Sequence, residues 1–197
     1  MSGPSDEEIE TAVIGGPTVH DRTIDLAEYD PAWPELFSGE AARIRKVLGP
    51  AVLAVEHVCS TAVPGLAAKP IIDIVLTVRD SSDEASYVSA LEAAGYVLRI
   101  RESEWFEHRL LKGLDIDVNV HVFSAGCAEI DRMLSFRDHL RRDDGDRRLY
   151  EETKRELASR RWKYVQHYAN AKSRVVEQIL ARANRTDDSS TVPGAAP

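Results

Sequence analysis

The sequence predicts an α+β fold (or α/β with a mixed sheet) in which helices flank the strands of one domain. Three observations carry this. Helical and extended runs follow one another in mixed order rather than in strict alternation, which disfavours a doubly wound parallel sheet. Two extended runs, IIDIVLTV at Ile71–Val78 and DVNVHVF at Asp117–Phe123, are rich in β-branched residues. A chain of 197 residues with 43% hydrophobic and 29% charged side chains also suffices for one sizeable core.

Residues 1–22 are rich in Gly, Pro, Ser, Thr and acids without sustained periodicity, and read as a disordered leader. Residues 184–197 (NRTDDSSTVPGAAP) have the same character and read as a disordered tail, leaving one domain over 23–183. Thr23–Leu26 is a short strand candidate. Asp30 is placed to cap a helix, with Pro31 in its first turn; Leu36, Phe37, Ala41, Ile44, Val47 and Leu48 recur at helical spacing until Gly49-Pro50 stops it. Val55–Val58 is a short apolar strand. The following loop, Cys59–Pro70, holds a Pro64-Gly65 turn, and Pro70 pushes Lys69 toward extended geometry.

The next strand, Ile71–Val78, is interrupted by a single acid, Asp73. Asp80–Glu84 supplies turn residues and first-turn acids for a helix at Ala85–Ala94, ended by Gly95. Tyr96–Ile100 and Trp105–Leu111 read as strands, the second bringing His108, Arg109 and Lys112. Asp117–Phe123 alternates, so Asp117, Asn119 and His121 share one face while Val118, Val120 and Val122 share the other. From Ala128 the chain reads as helical through Phe136–Leu140 (FRDHL), and Asp143-Asp144-Gly145-Asp146 breaks the pattern. Arg147–Ala183 then carries an imperfect apolar stripe and is read as one long helix or a helix pair.

The net charge of −8 disfavours a nucleic-acid platform, because backbone binding needs a basic surface. There is no basic segment followed by an apolar run at the start, and no apolar stretch approaches the roughly 20 residues that span a bilayer. Cys59 and Cys127 could pair only once, and Cys59 sits in the suspected site loop, so a reduced, cytoplasmic protein is expected, with no membrane or nucleic-acid partner. The sequence does not indicate an oligomeric state.

The chemistry concentrates at the loop and the strand after it. Ser60 and Thr61 are placed either to cap a turn or to hold a phosphate. Lys69 is a solvated loop lysine or a ligand contact. An acid buried in an apolar run is costly unless paired, so Asp73 is functional or salt-bridged. His121, with Asp117 and Asn119 on its face, reads as a base, a metal ligand or a hydrogen-bonded sheet histidine. Cys59 reads as a small buried side chain, and His57 as a brace for the loop. Arg109, Arg137, Lys154 and Lys172 fit an electrostatic lining for phosphate. Tyr168 and Lys172, four residues apart, would form a closing wall.

The spacing of Val58-Cys59-Ser60, twelve further residues and then Asp73 on a strand resembles the signature of the DNA polymerase β-like nucleotidyltransferases. A closer resemblance, from about residue 25 to about residue 183, is to the GrpB-like family. It rests on YDPAWPELF at Tyr29–Phe37, EHVCSTAVPGLAAKPIIDI at Glu56–Ile74, VNVHVF ending at Phe123, FRDHL at Phe136–Leu140, and then Tyr150, Lys154, Leu157-Ala158, Tyr168 and Lys172. The resemblance implies a nucleotidyltransferase-like mixed β-sheet flanked by helices. It further implies a nucleoside triphosphate such as ATP, bound with Mg2+, whose nucleotidyl or phosphoryl group passes to a small acceptor.

In that expectation Asp73 and Asp117 hold the metal and act with His121 in catalysis. Ser60, Thr61, Lys69, Arg109, Lys154 and Lys172 bind phosphate, and His57, Cys59, Asn119 and Tyr168 support them. Relatives fused to dephospho-coenzyme A kinase make a coenzyme A-related ligand a further option. Two departures from the pattern favour an alternative, a catalytically impaired module that binds a nucleotide or phosphorylated small molecule. Cys59 stands where the family has glycine, and Val75 stands where a second strand acid would face the same way as Asp73.

Overall fold

The structure is a computed structural model that describes residues 5–189, with side chains described through residue 185. In chain order it comprises α1 (Asp6–Ala12), α2 (Trp33–Leu48), β1 (Ala54–Val58), β2 (Ile72–Val78), α3 (Val88–Ala93), β3 (Tyr96–Glu102), β4 (His108–Gly113), β5 (Val118–Ser124), α4 (Ala128–Arg142), α5 (Asp144–Ala158), α6 (Val165–Ala171) and α7 (Ser173–Ser189). The strands form one mixed sheet in the order β1-β2-β5-β4-β3. Its centre is the parallel pair β2–β5, with Asp73 opposite Asn119 and Val75 opposite His121, and every other pairing is antiparallel. This is the mixed α+β architecture that the pattern of runs predicts.

Strand alternation sorts the two faces. Ile72, Ile74, Leu76, Val118, Val120 and Val122 point to one side, where they meet Trp33, Ala41, Ile44 and Leu48 of α2 and Leu91 of α3 in the main core. Each such fully buried side chain contributes about 1.5–3 kcal/mol through removal from water. On the other side α4 covers Val58, Val75 and Phe123 with Ile130, Met133 and Leu134. Helices α4, α5 and α7 pack around Phe136, Leu140, Tyr150, Val175 and Ile179, and Val63 and Leu66 of the 59–70 loop are buried among them. The loop is therefore wedged between the sheet and this helical layer.

Several local expectations are corrected. Residues 5–12 are not a disordered leader: Ser5 and Glu8 form a reciprocal capping box, and Ile9 and Val13 pack on Tyr164. The predicted tail is helical from 184 to 189, and residues 1–4 and 190–197 lie outside the described residues. Thr23–Leu26 forms no strand, although Arg22 and Ala27 on either side bridge to Trp162 and Ala68. Asp30 accepts from the Ala32 N–H at 2.8 Å just ahead of α2, and Pro34 rather than Pro31 lies in the first turn. The C-terminal region is three helices, because residues 160–164 leave the helical path to pair with the segment before Thr23. The Trp162 N–H donates to the Arg22 carbonyl at 3.2 Å, and the His20 N–H to the Lys163 carbonyl at 2.7 Å. Among the described residues no helix is long and apolar enough to cross a membrane.

Candidate functional site

A cavity of about 250 Å³ opens where the 59–70 loop, the ends of β2 and β5, and helices α5 and α6 meet. Its lining includes Cys59, Ser60, Thr61, Lys69, Asp73, Asn119, His121, Lys154, Tyr168 and Lys172. Most of the expected site residues thus meet in one place, and His57, Arg109, Asp117 and Arg137 lie outside it. A larger, more open groove of about 1000 Å³ lies between α1 and the β3–β4 turn, where four carboxylates, Glu7, Glu8, Glu102 and Glu104, meet one basic side chain, Arg101, beside Trp105. Convergence of unlike polar groups marks the smaller cavity as the candidate.

The loop is fixed from beneath. Ser60–Ala62 forms one short 3-10 turn after Cys59, whose φ of 59° and ψ of −158° lie in a region that glycine alone adopts easily. Cys59 thus keeps the backbone shape of a glycine at about 1–3 kcal/mol of local strain. Burial and the Asp73 charge push its thiol far up, so it is no ready nucleophile. Both cysteines are free. Thr61 is buried; its hydroxyl contacts His57 Nε2 at 3.0 Å and donates to the Ile71 carbonyl at 3.2 Å. His57 stacks on Phe37, and burial lowers its pKa to about 4. Arg137 donates to the His57 carbonyl and to Glu56, both at 2.9 Å, so it braces the loop rather than facing the cavity.

Lys154 is the deepest charge in the site. It is 1% exposed, donates to Ser60 Oγ at 3.0 Å and to the Ala67 carbonyl, and lies over the Tyr150 ring. Burial, reinforced by the nearby Lys172, lowers its pKa to about 7. Lys69 is also lowered, first by burial and then by Lys112 and Lys172. Lys172 lies over Tyr168, with its ammonium 4.7 Å from the ring centre. Asp73 accepts from the Asn119 amide at 2.8 Å, and His121 Nε2 lies 3.6 Å from its Oδ1. Burial pushes this carboxyl up, but an imidazolium at His121, the Asn119 amide and Lys172 outweigh that and hold it below the usual aspartate range.

Three expectations need revision. Arg109 is on the opposite face of the sheet, opposite Val122, where Glu84 at 2.6 Å and Glu107 at 3.1 Å hold its guanidinium. Its strand starts at His108 rather than Trp105, and alternation turns it away from the cavity. Asp117 precedes β5, is exposed and is absent from the cavity lining, while its carbonyl accepts the Ile72 N–H. Val75 shares the Asp73 face but is fully buried beneath α4, so a second strand carboxylate has no polar space. Sequence reasoning in turn missed the electrostatic part of Lys112: paired with Asn119, it stands on the Asp73 side of the sheet, exposed and outside the cavity lining, and its charge helps lower the Lys69 pKa, a consequence of β4–β5 register rather than of local pattern.

The family model described as "GrpB protein" matches residues 23–182. The chain belongs to the GrpB family. This GrpB chain is 58% identical over 182 residues to a UPF0157 protein of Halalkalibacterium halodurans, covering 92% of the chain and 93% of that relative. It is 47% identical over 171 residues to a UPF0157 protein of Streptomyces coelicolor, covering 87% and 89%. A crystal structure of conserved protein GrpB from Enterococcus faecalis matches with a TM-score of 0.69 at 31% identity, over 80% of this chain and 98% of that one. The fold is therefore shared with that GrpB structure, and the reaction is read from the site itself.

Proposed function

We propose that the cavity binds the phosphate groups of a small phosphorylated molecule, with a nucleoside triphosphate such as ATP as the leading class, accompanied by Mg2+. The observation that carries this is the meeting of Lys69, Lys154 and Lys172 with one carboxylate, Asp73, at a serine-bearing loop in a chain of net charge −8. Local positive charge against an acidic background concentrates an anion. At about 250 Å³ the cavity is smaller than the usual ligand pocket, so it takes phosphates and leaves a nucleoside at the rim.

The donor set fits a magnesium ion that arrives with phosphate. Mg2+ is typically bound through one or two carboxylates plus substrate oxygens, and Asp73 supplies one such group. A resident metal pair does not fit, because Val75 and Asp117 provide no second carboxylate inside the cavity. Bound Mg2+ would offset charge on the phosphates. A second reading, transfer of a nucleotidyl or phosphoryl group to a small acceptor in the manner of polymerase β-like enzymes, is favoured by His121 beside Asp73, the place of a general base. Val75 favours binding without transfer.

Calorimetry with ATP, GTP, CTP and UTP, each with and without Mg2+, tests the proposal. Binding is expected, and Lys69→Ala should weaken it at least about tenfold, or about 1.4 kcal/mol. If none of the four binds in either condition, the nucleotide reading is wrong.

A further inference from the structure

Phosphate binding leaves unused a row of three side chains that ends at the cavity. Glu102 closes β3, His108 opens β4, and His121 lies in β5. Glu102 Oε2 is 2.6 Å from His108 Nδ1, and His108 Nε2 is 3.0 Å from His121 Nδ1. The far nitrogen, His121 Nε2, faces Asp73 Oδ1 at 3.6 Å. The two imidazole planes are 20° apart with centres at 5.2 Å, close to the largest separation that a 3.0 Å contact between ring nitrogens allows. The nitrogens therefore meet near the ring planes, where N–H and lone pair both lie. His108 is buried and held against Phe123 at 4.8 Å and Trp105 at 5.1 Å, so it cannot swing out of the row.

Donor and acceptor roles propagate along this row. A carboxylate only accepts, so the 2.6 Å contact makes His108 Nδ1 the N–H donor. A neutral imidazole has one N–H, and burial resists a second proton on His108. His108 Nε2 then accepts, and His121 Nδ1 must donate to it. In neutral His121 this leaves Nε2 bare. The 3.6 Å separation from Asp73 exceeds hydrogen-bond length, so this nitrogen has no hydrogen bond to that carboxylate. His121 stabilises the Asp73 carboxylate as an ion pair only when it is an imidazolium.

We propose that Glu102 and His108 are positioning residues that fix His121 as its Nδ1–H tautomer, so that Nε2 and the Asp73 carboxylate form a paired acceptor aimed into the cavity. The group they take is a hydrogen-bond donor on the ligand, a hydroxyl or amine N–H, which sits opposite the lysines that take its phosphates. The identity of that group rests on the cavity being the ligand site; the tautomer does not.

Long-range ¹⁵N–¹H correlation spectra of the ligand-free full chain read the tautomer directly. His121 should show a protonated Nδ1 and a pyridine-like Nε2 in the wild type. In Glu102→Gln, whose amide can donate to His108 and reverse the row, the Nε2 signal should move toward the protonated position. A wild-type His121 protonated on Nε2 alone overturns the proposal, as does an Nε2 signal unchanged by Glu102→Gln. Magnesium chloride added without nucleotide should leave Nε2 in place; displacement would assign the nitrogen to the metal and overturn the donor-binding role. None of these readings depends on nucleotide affinity, so a protein that binds no nucleotide could still confirm the tautomer, and the converse result would spare the nucleotide reading.

Discussion

Two clusters of this molecule use nearly the same residue types to opposite ends. Between α4, α5 and α7, His139 Nε2 lies 2.7 Å from Asp146 Oδ2, and Arg182 donates to both Asp146 oxygens at 2.9 and 2.6 Å. Asp143 accepts from the Asp146 N–H at 2.8 Å and caps α5. The ligand atoms of His139, Asp143 and Asp146 lie within 4.8 Å of one another, a spacing that a metal ion would accept. The Arg182 guanidinium already supplies the positive charge there. At the cavity, Asp73, Asn119 and His121 hold one another more loosely, and lysines face open volume beside them. Residue type alone does not mark a binding site; hydrogen-bonding capacity left facing a cavity does.

The largest effect expected from this contrast is on stability at the closed cluster. Asp146→Ala removes the shared acceptor of His139 and Arg182 and leaves buried polar groups unmatched, which should cost about 3 kcal/mol by denaturant unfolding at neutral pH. Nucleotide affinity of the folded variant should be unchanged. A loss of affinity without loss of stability would invert the assignment of the two clusters.

An intermediate effect separates the loop from the rest by pH. Burial lowers the His57 pKa to about 4, against about 6.5 in the unfolded chain. A depressed pKa means that the unfolded state binds the extra proton first, so the contribution is complete above pH about 6.5 and is lost as pH falls toward 4. At pH 5 the loss is about 2 kcal/mol. His57→Gln, which cannot titrate, should flatten the stability curve across this window. An unchanged slope would place the titrating group elsewhere.

Much of the site was legible because its signals are local. Alternation in Asp117–Phe123 placed Asn119 and His121 together, and the single acid in Ile71–Val78 singled out Asp73. The Ser5-x-x-Glu8 capping box is equally local, but the composition of residues 1–22 masks it. Other features could not be read locally. The parity of β4, which puts Arg109 on the far face and Lys112 on the Asp73 face, depends on where pairing with β5 begins. The break after α5 is imposed by the 20–22 segment, distant in sequence, where an imperfect apolar stripe allows a helix pair without fixing the place of the break. The row from Glu102 to His121 joins three strands, so no spacing rule announces it.

The smallest stability effect should come from Asp73, the carboxylate proposed to meet the metal. Asp73 is partly buried, and its ionised form gives up hydration in return for the Asn119 amide and the neighbouring positive charges. Asp73→Asn removes that desolvation penalty and keeps an acceptor oxygen for Asn119, while Lys172 loses a counter-charge. These changes oppose one another, and the net shift in unfolding free energy should stay below about 1 kcal/mol. Magnesium-dependent nucleotide binding should nevertheless fall, because the amide is a poor ligand for a hard cation. If Asp73→Asn instead unfolds the protein as readily as Asp146→Ala, Asp73 is a structural clasp like Asp146. The distinction between the two clusters then fails. Undiminished magnesium-dependent binding in a stable Asp73→Asn variant would move the metal away from β2 altogether.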